Sequence, residues 1–168
     1  MTVSDSSSRQ PSARAVTSAV LRPEPIAKAL HGAFCRDASR AELLQLTATR
    51  IREAGPPYTS VYLYMLHGDV LRLEAHDGRA TDLTEIPVGT GICGKAVAEQ
   101  RDLNVADVSC ADGYVSCSIE TKSELVVLIR RHDEILGEID IDSDVPAGFT
   151  DAEESAVRDV ADALATLL

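Results

Sequence analysis

The tightest constraint on how this chain folds is the run Ile139-Asp140-Ile141-Asp142. Period-two alternation belongs to a β-strand, whose successive side chains leave opposite faces, so both isoleucines point one way and both aspartates the other. A sheet containing this strand has one apolar face that must be covered and one acidic face. A second apolar strand, Ser123 to Arg130, precedes it, and a turn at Arg131-His132-Asp133 leads into Glu134 to Asp142. Pairing of the two would bring Glu124 beside Asp140 and Asp142, and Cys117 in the preceding loop would add a thiol. Three carboxylates and a thiol in one pocket are a chemical constellation. The plain alternative for the two aspartates is a solvated strand face.

The chain length of 168 residues suits one domain with a substantial core. Residues 1–22, rich in Ser, Arg, Ala and Thr, read as a disordered or loosely ordered tail, and residues 23–168 as a single domain. The formal net charge of -11 argues against nucleic acid, because phosphate neutralisation needs clustered Lys and Arg. It argues equally against a membrane surface. No apolar run approaches the roughly 20 residues that span a bilayer, and the N-terminus lacks the apolar segment of a signal peptide. A cytoplasmic protein is expected. Cys35, Cys93, Cys110 and Cys117 are too few for a disulfide scaffold and lack the paired spacing of zinc sites. As thiols in a reducing compartment they serve packing or redox chemistry. His67, His76 and His132 fall near turns and read as solvated, so no metal is expected.

Helices bracket the strands. Pro23 and Pro25 suit a helix start, with Ile26, Leu30 and Phe34 on one face. Asp37 or Ser39 can cap the next helix, Glu42 completes a capping box with Ser39, and Leu43, Leu44, Leu46, Thr47 and Ile51 form its apolar stripe. Gly55-Pro56-Pro57 stops it. Tyr58 to His67 is apolar on both alternating sets, which predicts a central strand covered on both faces. Gly68-Asp69 turns it into a hairpin with Val70 to Ala75. Thr84 to Val88 is a short extended run, and Gly89-Thr90-Gly91 opens a helix at Ile92 with Cys93 in its first turn. There Cys93 reads either as a poised thiol, since a helix N-terminus favours the thiolate, or as a small residue packing helix against sheet. Leu103-Asn104-Val105 is a further short strand. Ala106 to Thr121 is a long irregular loop holding Cys110 and Cys117, of the kind that serves as a lid. Thr150 and Glu153 form a second capping box before a final helix. Strands between terminal helices make an α+β fold, an antiparallel sheet flanked by N- and C-terminal helices. Those helices carry more apolar surface than one sheet face needs, so a homodimer through a helical bundle is expected.

Several segments taken in order resemble a GAF domain: Gly89-Thr90-Gly91-Ile92-Cys93-Gly94, Asn104-Val105-Ala106-Asp107-Val108, the loop at Tyr114, Lys122 to Ile129, Leu136 to Ser143, and Gly148-Phe149-Thr150-Asp151. The resemblance spans about residues 38–168 and implies a GAF-like fold. More narrowly, the chain resembles the free methionine-R-sulfoxide reductases. By that resemblance Cys117 is the nucleophile, seven residues before Glu124. Glu124, Asp140, Asp142 and Tyr64 bind substrate, and Cys93 is a second family cysteine. Leu83 stands ten residues before Cys93, where the family usually carries a resolving cysteine, and the chain has no tryptophan for the family's pocket position, near Ser60.

The chemistry this implies needs no bound cofactor. A thiolate attacks the sulfoxide sulfur while a carboxyl kept protonated by its charged neighbours supplies the proton. Cys93, or Cys110 in the same loop as Cys117, would resolve the sulfenic acid, and an external thiol reductant such as thioredoxin would recycle the enzyme. A carboxylate could hold the ammonium of a small polar amino-acid substrate. The competing expectation is a non-catalytic GAF sensor, binding a small molecule or reporting redox state through a partner protein.

Overall fold

The computed structural model describes residues 20–110 and 120–168. In chain order it forms helices α1 (Pro23–Phe34) and α2 (Arg40–Arg52), then strands β1 (Ser60–His67), β2 (Val70–Asp77) and β3 (Glu85–Pro87). Helix α3 (Gly91–Glu99), strand β4 (Leu103–Val105) and a 3-10 turn over Val108–Cys110 follow. Strands β5 (Ser123–Arg131) and β6 (Glu134–Ser143) and helix α4 (Asp151–Ala165) complete the fold. The strands make one antiparallel six-stranded sheet in the order β3-β2-β1-β6-β5-β4. This is the α+β arrangement expected, with β6 next to the sheet's centre.

Local sequence explains the helix ends. Ser39 and Thr150 each accept a hydrogen bond from the backbone N–H three residues on, at Glu42 and Glu153, whose carboxylates in turn accept one from the cap residue's N–H. These reciprocal bonds satisfy donors that a helix start leaves open. Ile26 and Leu30 of α1 are buried, but Phe34 is 47% exposed, against the expectation that it continues their stripe. Each step of four residues overshoots one turn, so the second such step leaves Phe34 about 80° round the helix from Ile26.

The sheet's faces have different covers. Val61, Leu63 and Met65 of β1, with Val127 of β5 and Ile139 and Ile141 of β6, pack under α1, α2 and α4 in one core. On the other face Tyr62, Tyr64, Val126 and Leu128 meet Cys93, Ala96 and Val97 of α3. Burial of six successive residues, Ser60 to Met65, fulfils the expectation that β1 is covered on both sides. Two glycines seat α3. Gly91 takes φ +63°, a left-handed value side chains disfavour. A Cβ on Gly94 would stand 2.4 Å from the Pro87 carbonyl oxygen, so only glycine lets this helix lie so close to the end of β3. Cys93 is held over the sheet between them.

Candidate active site

Register builds the site. Glu124 on β5 stands opposite Asp142 on β6, Val126 opposite Asp140, and Leu128 opposite Glu138. From the other side, Ser60, Tyr62 and Tyr64 of β1 stand opposite Asp142, Asp140 and Glu138. Directly opposed residues share a face, so Glu138, Asp140 and Asp142 run as a carboxyl stripe between Glu124 on one side and Ser60, Tyr62 and Tyr64 on the other. Glu124 is 3% exposed, and Glu138, Asp140 and Asp142 are 0% exposed. The solvated strand face is thereby excluded for Asp140 and Asp142. Helix α3 lowers Cys93 onto the stripe, its Sγ 3.9 Å from Glu124 Oε1. One atom each from Cys93, Glu124 and Asp140 lie within 4.8 Å of one another.

Among the described residues no hydrogen bond of normal geometry reaches the side-chain oxygens of Glu138, Asp140 or Asp142. Burial therefore disfavours their charged forms, and like charges add to the effect. Glu124 is raised well above the ordinary carboxyl range by burial first, then by the charges of Asp140, Asp142 and Glu138. Burial and the Asp140 charge raise Glu138, and burial and the Asp142 charge raise Asp140. Interaction with the Cys93 thiol opposes all three shifts. Asp142 is pushed up to about 6, chiefly by burial, while the Thr121 hydroxyl and Arg79 pull against it. A stripe of this kind holds protons at pH values where free carboxyls have lost them.

A cleft of about 60 Å³ opens onto this chemistry, several times the room one water needs. Leu83, Ile86, Thr90, Cys93 and Glu124 are among its walls. The segment between β2 and β3 is fastened to β1 by side chains of the site face. Tyr64 Oη donates to the Leu83 carbonyl at 2.7 Å, and Tyr62 Oη to the Arg79 carbonyl at 3.1 Å. The Arg79 N–H donates to Ser60 Oγ at 3.0 Å. The Arg79 guanidinium pairs with Asp144 at 2.5 Å and Glu120 at 3.2 Å. Tyr64 thus shapes the cleft wall through Leu83.

Of the residues singled out in the sequence, Glu124, Asp140, Asp142 and Cys93 come together, and Tyr64 adjoins them. Cys93 packs among apolar residues of α3 and the sheet, as its packing reading expects, and its thiol faces Glu124. Cys117 lies outside the described residues. The Cys110 backbone ends the 3-10 turn, but its side chain is likewise outside the description. Glu138 is the member that sequence reasoning missed. The signal was the same alternation, one step earlier on the strand than Asp140.

Residues 39–168 match the family model described as GAF domain. The chain is 36% identical over 121 residues to the free methionine-R-sulfoxide reductase of Escherichia coli strain K12, covering 72% of this chain and 68% of that protein. A solved type II free methionine-R-sulfoxide reductase from Thermoplasma acidophilum superimposes with a TM-score of 0.74 at 38% identity, covering 76% of this chain and 91% of that one. The enzyme of the same name from Neisseria meningitidis, solved in complex with its substrate, gives a TM-score of 0.77 at 26% identity, covering 84% of this chain and 85% of the other. No helix among the described residues is long and apolar enough to cross a membrane.

Proposed function

The chain belongs to the GAF domain family, and we propose that it is a thiol-dependent reductase of free methionine-R-sulfoxide. The observation that carries this reading is the convergence of Cys93, Glu124 and Asp140 in a buried pocket, where burial and neighbouring charges raise both carboxyls well above their ordinary range. That pocket suits a reaction which needs an acid beside a thiol.

In the first step the Cys117 thiolate attacks the sulfoxide sulfur while a protonated carboxyl of the cluster donates to the sulfoxide oxygen. The sulfur–oxygen bond of the substrate breaks and the oxygen passes to the cysteine, leaving methionine and a Cys117 sulfenic acid. The substrate sulfur gains two electrons and the cysteine sulfur loses two. In the second step the thiol of Cys93, or of Cys110, attacks the sulfenic sulfur, water leaves, and a disulfide forms. An external dithiol such as thioredoxin reduces that bond and is itself oxidised to a disulfide. A carboxylate of the stripe pairs with the substrate ammonium, which a methionine sulfoxide inside a peptide lacks. The reading keeps a homodimer joined through the helices, supported by Phe34 standing exposed on α1.

The test is methionine formation, followed by chromatography, from each epimer of free methionine sulfoxide with dithiothreitol and fully reduced protein. The R epimer should be consumed, and Cys117→Ser should abolish turnover. Methionine from neither epimer would overturn the reading. A sensor function is favoured by one observation: Leu83, at the position where the family usually carries a resolving cysteine, forms part of the cleft wall beside Cys93. A thermal shift with methionine sulfoxide that is never consumed, undiminished in Cys117→Ser, would decide for it.

A further inference from the structure

Among the described residues the stripe is short of positive charge. Asp140 is fully buried, and among the described residues neither of its carboxyl oxygens, nor those of Glu138 and Asp142 on that face, has a hydrogen-bond partner. Buried carboxyl oxygens are normally satisfied by donors. Arg79, the cation whose charge reaches Asp142, is already paired with Asp144 and Glu120. What the pocket offers instead is a sulfur. Cys93 Sγ is 3.9 Å from Glu124 Oε1, and both lie with an Asp140 oxygen inside a 4.8 Å span.

We propose that Cys93, Glu124 and Asp140 bind a borderline-soft divalent cation of the zinc class, and that the bound ion inhibits the protein by occupying the place of the substrate and tying up a thiol. The binding half stands on the cluster alone, while the inhibition half rests on the reductase reading. With Zn–S near 2.3 Å and Zn–O near 2.0–2.2 Å, a tetrahedral ion holds sulfur and oxygen about 3.6 Å apart. The observed Sγ to Oε1 separation of 3.9 Å needs to close by only a few tenths of an ångström. One sulfur and two carboxylate oxygens fill three of the four positions zinc prefers, and the fourth would face the cleft, whose walls include Cys93 and Glu124. Magnesium and calcium fit poorly, because they want six or more oxygen ligands and have no use for sulfur. The cleft also supplies an entry path, and the unpartnered Asp140 oxygens supply the demand.

Cobalt(II) is the probe, added to the full-length chain after reduction and removal of the reductant. The expected result is a one-to-one complex with a thiolate-to-cobalt absorption in the near ultraviolet, displaced by zinc and untouched by magnesium. Cys93→Ser should lose that absorption, Asp140→Asn should weaken cobalt binding by about tenfold or more, and Cys117→Ser should keep both signal and affinity. Glu124→Gln provides a second ligand variant should Asp140→Asn fail to fold, with far-ultraviolet circular dichroism as the check. The binding half is overturned by no saturable cobalt binding, by an absorption that survives Cys93→Ser, or by one that vanishes with Cys117→Ser. Zinc bound at full strength with methionine formation unchanged would overturn the inhibition half. A protein inactive on both epimers would overturn the reductase reading and leave the cobalt result to decide the site.

Discussion

On β6, Ile139 and Ile141 face α1, α2 and α4 in a core made of aliphatic side chains. Interleaved with them, Glu138, Asp140 and Asp142 face the opposite way and are just as inaccessible, at 0% exposure. The isoleucines stabilise the fold by leaving water, and each has packed neighbours. Among the described residues the carboxyls lose hydration without gaining a hydrogen bond of normal geometry, so each opposes folding unless it is neutral. One strand therefore carries the residues that hold the domain together and those that strain it, separated only by the alternation of the pleat. Strain of this kind concentrates where a protein acts on something else.

Three substitutions on this strand should make the contrast measurable. Ile141→Ala removes a fully buried side chain from the helix-covered face and should cost about 2–5 kcal/mol, read as a fall in denaturant midpoint with little change in slope. Glu138→Leu, on the other face, keeps a similar volume and removes a carboxyl that has no hydrogen bond of normal geometry among the described residues. It should stabilise by about 1–3 kcal/mol, the cost of leaving a buried polar group unsatisfied. A loss of stability in Glu138→Leu would mean that the acidic face is not strained.

The third substitution brings in pH. Glu124, Glu138 and Asp140 are raised well above the ordinary range, and Asp142 to about 6. For a raised group, the folded form keeps its proton after the unfolded form has lost it. The contribution is fully present below about pH 4, near the unfolded carboxyl value, and is lost as pH rises toward the folded value. Stability should therefore fall from about pH 4 upward, with the Asp142 share lost by about 6 and the rest at higher pH. Arg79 lowers Asp144, and Glu74, though its partial burial raises it, is lowered on balance by His67 and Arg40. Both work in the opposite sense below that window, but Asp144 is exposed and Glu74 only half-buried, so they are weakly effective. Asp140→Asn mimics the protonated carboxyl. It should match the wild type in stability at pH 4 and gain on it progressively toward neutrality, while losing methionine formation. A gain that does not depend on pH would show that Asp140 is not titrating in the folded protein.

The features legible in the sequence were those with local causes. The capping boxes at Ser39 and Thr150, the stop at Gly55-Pro56-Pro57 and the alternation through Asp142 each depend on residues a few positions apart, and the structure has them all. Burial of the acidic face was not legible, because it depends on α3 crossing over the sheet, set by the close approach of Gly94 to Pro87. Nor was the meeting of Cys93 with Glu124, residues 31 positions apart. Phe34 shows the converse error, where a helical spacing alone suggested burial that no element among the described residues provides. Glu138 could have been found, since its position on the pleat is the same as that of Asp140 and Asp142.

The smallest expected effect lies where the two faces share a strand. On β1, Leu63 and Met65 belong to the helix-covered core, while Tyr64 between them faces the carboxyls and donates to Leu83 at 2.7 Å. Tyr64→Phe keeps the ring and its packing but leaves the Leu83 carbonyl without that donor. The stability cost should be about 0.5–1.5 kcal/mol, the net worth of one hydrogen bond. Leu83 is part of the cleft wall, so the same change should raise KM for methionine sulfoxide by a larger factor than it lowers kcat. A kcat loss with KM unchanged would instead put the Tyr64 hydroxyl in contact with the reacting atoms, and would move β1 from the wall of the site into its chemistry.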